Sequence, residues 1–285
     1  MYIHLKTHSY YSFLRGLASP NQLAQTAAHY NLPYLGLTDF LSLTGAVEFY
    51  DSCLNVGIKP ILGLELPIIV SNLQLGSTWP GASPITGNIT LLSMNLSGWS
   101  QLCKLSSILN SQPASSSTPT MNFDILSDHT QGLICLTGGS GGILSPAVNL
   151  AEKAANLLLE NLSLLYPDRC YVELQANEAI DFQQFKTLNT LARKHDLPTV
   201  CTTQVYYITP DQANLQRTIS SLRLNRAIDN VPPSEYAPQN SHLADPQQIE
   251  LLFSEFPDAI ENTRVIAERC YFDLPVGQLQ WRGAV

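Results

Sequence analysis

Basic residues are scarce and nowhere clustered. Lys and Arg number 15 against 23 Asp and Glu, for a net charge of −8. Chains that grip a nucleic-acid backbone do so by massing positive charge against phosphates, so direct nucleic-acid binding by this chain is disfavoured. No apolar run approaches the ~18 residues of a membrane span, and no charged-then-apolar leader opens the chain. A soluble protein that makes no membrane contact is expected. The six cysteines (Cys53, Cys103, Cys135, Cys170, Cys201 and Cys270) include no Cys-x-x-Cys pair. That argues against a zinc ribbon or a disulfide framework and for a reducing cytoplasm.

What is present is apolar and regularly patterned. Hydrophobic residues make up 45% of the chain and charged residues 13%, which suits a globular α/β protein. A chain of 285 residues buries roughly three-quarters of its unfolded surface and needs no staple. Met1 to Leu5 reads as a short strand. Ser19-Pro20-Asn21-Gln22 reads as a helix start, with Ser at the N-cap, Pro at N1 and Gln at N3. Tyr34 to Thr38 reads as a strand, and Ala46, Phe49, Tyr50 and Cys53 mark a helix that stops at Gly57. Pro60 to Val70 reads as the next strand.

Further strands are expected over Ile89 to Met94, Leu133 to Leu136, Cys170 to Leu174 and Thr199 to Thr203. Helices are expected over Gln101 to Leu109, over Leu150 to Leu165 and from Asp181, the last with Phe182, Phe185, Leu188 and Leu191 inward. From Asp211 the chain is mainly helical, and Asp245-Pro246-Gln247-Gln248 is a second helix start. Stretches 71–88 and 111–122 are rich in Ser, Pro, Gly and Thr and read as loop insertions. Alternation of strand and helix predicts a parallel sheet with crossover helices. A (β/α) barrel and an open doubly wound sheet both remain open, and either gathers ligands at the carboxyl ends of its strands.

Several motifs carry chemistry. His4-Leu5-Lys6-Thr7-His8-Ser9 and Leu37-Thr38-Asp39-Phe40 resemble a metal-ligand set with members replaced. The loop Thr137-Gly138-Gly139-Ser140-Gly141-Gly142 has amides enough for an anion but lacks the Lys-Ser/Thr of a P-loop, so it reads as a plain turn. His29, His129, His195 and His242 show no ligand-like spacing and read as surface residues. Glu48 and Asp51 read as a solvated helix face.

Ordered matches along nearly the whole chain carry a resemblance. They are the two motifs above, Gly45-Ala46-Val47-Glu48-Phe49-Tyr50, Gly57-Ile58-Lys59-Pro60-Ile61-Leu62-Gly63, Leu136-Thr137-Gly138-Gly139, Tyr166-Pro167-Asp168-Arg169, Leu197-Pro198-Thr199-Val200 and Phe256-Pro257-Asp258-Ala259. Together they resemble the N-terminal PHP (polymerase and histidinol phosphatase) domain of bacterial DNA polymerase III alpha subunits. The resemblance implies a PHP-type distorted (β/α)7 barrel, as one domain over 1–285. It implies a metal cluster held at strand ends in members that keep the ligands.

On that pattern His8, Asp39 and Glu65 stand at ligand positions. Lys6, Phe40, Asn88, Gly139, Gln204 and Tyr206 replace the His, His, His, Cys, Asp and His that the family would place there. An ammonium at Lys6 can fill the space of a lost ion and pair with Asp39 or Glu65. His8 is expected to bond to backbone or to Asp39, and Asp39 to cap a turn.

The resemblance thus implies a catalytically degenerate module of a replicative polymerase, with no catalytic residue and no cofactor. Its partners would be the remainder of the alpha subunit and a separate proofreading exonuclease. The alternative is a metal-dependent phosphoesterase, exonuclease or histidinol-phosphatase-like, that binds zinc or manganese through His8, Asp39, Glu65 and further ligands such as Glu173 or Asp124. A stand-alone interaction protein derived from the family is a third reading. No Asp-x-Asp pair occurs for a two-magnesium palm site. The chain ends at Val285 where the family would continue towards the palm, so a piece of a longer protein and an early stop both stay open.

Overall fold

A computed structural model describes residues 1–71, 84–112, 118–139, 141–176 and 182–277. Asp181, Ser140, most of the two Ser/Pro/Gly-rich stretches and Trp281 to Val285 lie outside them.

Helix α1 (Pro20–His29) starts as its sequence dictates: the Ser19 hydroxyl accepts from Gln22 N, and the Gln22 side chain accepts from Ser19 N in return. Strand β1 (Tyr34–Leu37) follows, then α2 (Ala46–Asn55), which buries Ala46, Phe49, Tyr50 and Cys53 and stops before Gly57 at φ +78°. Next come β2 (Lys59–Val70), β3 (Ile85–Ser93), α3 (Leu96–Asn110), the two-residue β4 (Met121–Asn122) and the short α4 (Phe123–Ser127).

The second half of the fold runs β5 (Leu133–Leu136), α5 (Leu144–Leu150), α6 (Glu152–Leu165), β6 (Cys170–Gln175), α7 (Phe182–Lys194) and β7 (Thr199–Thr202). Beyond these lie α8 (Ala213–Leu224), α9 (Pro246–Leu252) and α10 (Pro257–Arg269). Asp245 caps α9 by accepting from Gln247 N at 2.8 Å. The helix expected over Leu150 to Leu165 is two, parted by Ala151 in an extended conformation, φ −170° and ψ 146°.

The sheet runs in the order β1-β2-β3-β5-β6-β7, with β4 beside β2. Pairs β1/β2, β5/β6 and β6/β7 are parallel, as the strand–helix alternation predicts. Strand β3 departs from that expectation and runs antiparallel to both β2 and β5. Its ladder with β2 begins at Val70↔Ile85, next to the connection itself, so the chain returns as a hairpin-like pair instead of crossing over. One hydrophobic cluster joins the sheet to α3, α5, α6 and α7, and a second joins it to α1, α2 and α10.

The N-terminal segment is less regular than the strand expected over Met1 to Leu5, yet it bridges the two edges of the sheet. On the β1 side Gly36 N donates to His4 O and Thr38 N to Thr7 O. Four residues, His4 to Thr7, thus face three, Gly36 to Thr38, and the extra residue interrupts a regular ladder in the manner of a bulge. On the other side His8 N donates to Val205 O and Val205 N to Lys6 O. Gly36 permits this closeness, because a Cβ there would lie 2.3 Å from Leu5 O. The sheet, curled and bridged this way, forms the distorted barrel and delivers Lys6 and His8 to one place.

Candidate functional site

Two buried pairs of side chains occupy the centre of the site. Lys6 Nζ lies 3.2 Å from Glu173 Oε1, with both side chains buried. Glu173 sits within β6 and also accepts from Thr202 Oγ1 at the end of β7. Burial disfavours the charged lysine, but the carboxylates of Glu173 and Glu65 outweigh it and hold the ammonium above the ordinary lysine value. The partner of Lys6 is therefore Glu173, and not Asp39 or Glu65 as expected from the sequence.

Glu65, within β2, pairs instead with His8, whose Nε2 lies 2.7 Å from Glu65 Oε2. Asn88 Nδ2 donates to Glu65 Oε1 at 2.8 Å, and Gln204 Nε2 approaches it at 3.3 Å. Burial would raise the Glu65 carboxyl, yet Lys6, His8 and Asn88 together pull it down to about 2. The other nitrogen of His8, Nδ1, faces Val205 O at 3.1 Å. A carbonyl only accepts, so a proton on Nδ1 serves that contact, while Nε2 faces the Glu65 carboxylate. His8 is held between Glu65 and Val205 O and stacks on Tyr206 at 4.4 Å between centroids.

Asp39 belongs to neither pair. Its Oδ1 accepts from Ser9 N at 2.7 Å and Ser12 Oγ at 2.6 Å, and its Oδ2 from Ser9 Oγ at 2.7 Å. Burial raises its carboxyl and these bonds offset that only in part. Asp39 thus caps the turn of residues 9–12, as its place after a strand predicts.

Phe40 bridges to Glu65 through backbone and carries the Arg15 guanidinium 4.1 Å above its ring. Gly139 sits against Gln175, whose side chain occupies the room a Cβ would need, at 2.0 Å. The glycine loop is a turn tied to β3: Asn88 N donates to Gly141 O and Ile143 N to Asn88 O. Asn88 itself lies inside β3, not before it.

Thus Lys6, His8, Glu65, Asn88, Gln204 and Tyr206 are brought together, with Asp39 and Phe40 alongside. Asp124 is exposed on α4. His29 is exposed, whereas His129, His195 and His242 are only partly so; His129 bonds to Gln101 and His195 to Asn156. Glu48 is not merely solvated, since it accepts from the hydroxyls of Tyr10 and Tyr11.

Sequence reasoning undervalued two residues. Glu173 carried a signal, a lone carboxylate in an apolar strand, which demands a partner. Arg15 carried none, because a single arginine in a polar loop is unremarkable until the fold sets it over Phe40.

Comparison with known proteins places this geometry. The PHP domain family model matches residues 4–177. DNA polymerase III subunit alpha of Chlamydia trachomatis serovar D is 28% identical over 304 residues, covering 96% of this chain and 24% of the relative. The same subunit of Escherichia coli K12 is 29% identical over 283 residues, covering 97% and 23%, and that of Pseudomonas fluorescens 30% identical over 281, covering 97% and 23%. The chain spans about a quarter of the length of these relatives. The solved structure of an amidohydrolase from Chromobacterium violaceum aligns with a TM-score of 0.46 at 12% identity, over 72% of this chain and 88% of that one. Matched over residues 4–177, more than half its length, the chain belongs to the PHP domain family.

Proposed function

We propose that this chain is a catalytically degenerate PHP domain of a replicative DNA polymerase III alpha subunit. It acts as a structural and docking module towards the remainder of that subunit and a separate proofreading exonuclease. The observation that carries the reading is the Lys6–Glu173 pair. An ammonium with both of its neighbouring carboxylates committed stands where the family would gather ligands.

The donor set does not fit a metal. Catalytic zinc takes neutral imidazoles and carboxylates with free lone pairs and keeps a position for water. Here both nitrogens of His8 are engaged, by Val205 O and by Glu65, Glu65 is filled by His8 and Asn88, and Glu173 Oε1 is taken by Lys6 and Thr202 while its Oε2 has no partner among the described residues. Asn88 and Gln204 present amides, and Tyr206 presents its ring to His8. Docking is supported by family membership and by the loop of residues 9–16, where Phe13 is 79% exposed beside Tyr10 at 42%. Exposed aromatics of this kind are over-represented in protein interfaces.

The test has two halves. Protein incubated with zinc or manganese and desalted should retain far less than one metal per chain and leave a single-stranded DNA 3′ end intact. Stoichiometric metal, with hydrolysis lost in His8→Ala, would overturn the degenerate reading. In size-exclusion chromatography the chain should co-elute with a 3′–5′ exonuclease encoded by the same genome, and Phe13→Ser should reduce that association. Failure to co-elute would sink the docking half alone.

A further inference from the structure

Helix α8 reverses the usual pattern of a surface helix. Its buried residues are Gln216, Ser220 and Ser221, while Leu215 and Leu222 are 52% and 65% exposed. A surface helix ordinarily sets its apolar stripe against the core. Here hydrogen bonds hold the inward face instead. Gln216 Nε2 donates to Arg15 O at 3.1 Å, and Gln216 Oε1 accepts from Ala237 N at 2.9 Å.

The outward residues form a single stripe. Leu215, Ile219 and Leu222 stand at i, i+4 and i+7, so they share one face of the helix. Ile219 is partly exposed, and the exposed Thr218 lies beside it. A lone exposed leucine is ordinary, but apolar side chains gathered along one outer face are the mark of an interaction surface.

Charges at the two ends of the helix select the partner. Asp211 precedes α8 and Arg226 follows it; both are exposed, and neither forms an ion pair among the described residues. Between them, Arg223 is already taken by Glu235, and Arg217 lies over the Tyr236 ring. Laid antiparallel on a copy of itself, this segment is its own complement. A two-fold axis between Thr218 and Ile219 sets Leu215 opposite the partner's Leu222 and Asp211 opposite the partner's Arg226, each twice. Such a contact uses the same patch on both copies and closes after one pairing. A parallel arrangement would set Asp211 against Asp211 and Arg226 against Arg226, and like charges across an interface suppress that alternative.

We propose that α8 is an interface between two copies of this chain, packed antiparallel through Leu215, Ile219 and Leu222 and oriented by Asp211 and Arg226. Exposed charge pairs contribute little affinity, so the apolar stripe supplies the attraction and the charges fix its direction. The 12 residues of α8 make a helix only about 18 Å long. A contact of that size lies at the small end of specific interfaces, and a dissociation constant on the order of 10⁻⁵ M or weaker follows. The pairing needs no metal and no exonuclease, so it goes beyond the docking reading and stands or falls apart from it.

Sedimentation equilibrium of the 285-residue chain, from about 5 to about 500 µM to bracket that constant, tests the assignment at low salt, where surface charges are least screened. A monomer–dimer equilibrium with no larger species is expected. Leu222→Glu changes a side chain open to solvent and should weaken the pairing about tenfold or more. Asp211→Arg and Arg226→Asp each create two like-charge contacts and should each weaken it roughly threefold. The double reversal, Asp211→Arg with Arg226→Asp, should restore the wild-type constant. Arg226→Asp lies beyond the end of the helix, so it reads the pairing even if Asp211→Arg disturbs the helix start. A chain monomeric at every concentration, a dimer indifferent to Leu222→Glu, or a double reversal no tighter than either single variant would each overturn the proposal.

Discussion

Lys6 and Glu173 meet at 3.2 Å although they lie far apart in the chain, one before the first strand and one inside the sixth. Each charge is out of reach of water, so each depends on the other. Removing one partner of such a pair costs more than the pair contributes, because the survivor is left buried and uncompensated.

Lys6→Ala is therefore expected to lower unfolding stability by about 3–5 kcal/mol. Lys6→Met combined with Glu173→Gln should cost clearly less than the sum of the single changes, since it leaves neither charge stranded. Urea denaturation of the four proteins measures the coupling. Additive effects would show that the contact contributes no specific energy.

Chelator should leave Tm unchanged, because the charges that would otherwise call for a cation are already matched within the chain. Putting both histidines back, as Lys6→His with Phe40→His, should restore neither tight zinc binding nor phosphodiester hydrolysis. Asn88, Gln204 and Tyr206 would still be unsuited. A side chain at Gly139 would have to displace Gln175, and removing Phe40 would strip Arg15 of the ring beneath it. Recovery of hydrolysis in that double variant would disprove the degeneracy proposed above.

Acid should destabilise the fold in two stages. Burial lowers His4 from 6.5 to about 4 in the folded chain. Its Nε2 donates to Ala244 O, while Nδ1 is buried and has no acceptor among the described residues. A depressed histidine takes up its proton on unfolding, so stability falls as pH drops from about 6.5 towards 4, by up to ~3 kcal/mol. Glu65, lowered from 4.5 to about 2, contributes stability that is present above 4.5 and lost below it. Urea unfolding across pH should show both slopes. His4→Gln, which can still donate to Ala244, should flatten the upper one and leave the lower. An unchanged upper slope would remove His4 as its source.

Gly36→Ala is expected to be severe despite adding one methyl. The new carbon would stand 2.3 Å from Leu5 O and push the N-terminal segment off β1. A loss of roughly 1–3 kcal/mol is the usual range for overpacking, and loss of the His4 to Thr7 contacts adds to it. Hydrogen exchange at the Gly36 and Thr38 amides, which donate to that segment, should rise well beyond exchange in α6. Protection equal to wild type would show that the segment accommodates the methyl.

Local features were the legible ones. The Ser19 and Asp245 caps, the stop at Gly57 and the buried face of Phe185, Leu188 and Leu191 follow from rules acting within one helical turn. The pairing of β3 with both neighbours in reverse does not, because direction in a sheet is settled between segments distant in sequence. The Ala151 break escaped for another reason: alanine favours helix, and nothing next to it announces an extended residue. At the site, the ligand positions could be lined up one by one. Which carboxylate Lys6 and His8 would each meet depended on the curl of the sheet, which brings Glu173 of β6 to Lys6 and Glu65 of β2 to His8.

The bridge formed by residues 4–8 also orders events in time. These residues leave the ribosome before the rest of the barrel, yet half of their backbone hydrogen bonds wait for Val205. Until about two hundred further residues have emerged, Lys6 has no Glu173 and the β1 edge is closed by a segment held on one side only. Domains assemble as units during synthesis, and contacts of long sequence separation form late. The barrel therefore closes only after Val205 has emerged, when residues 4–8 gain their second edge.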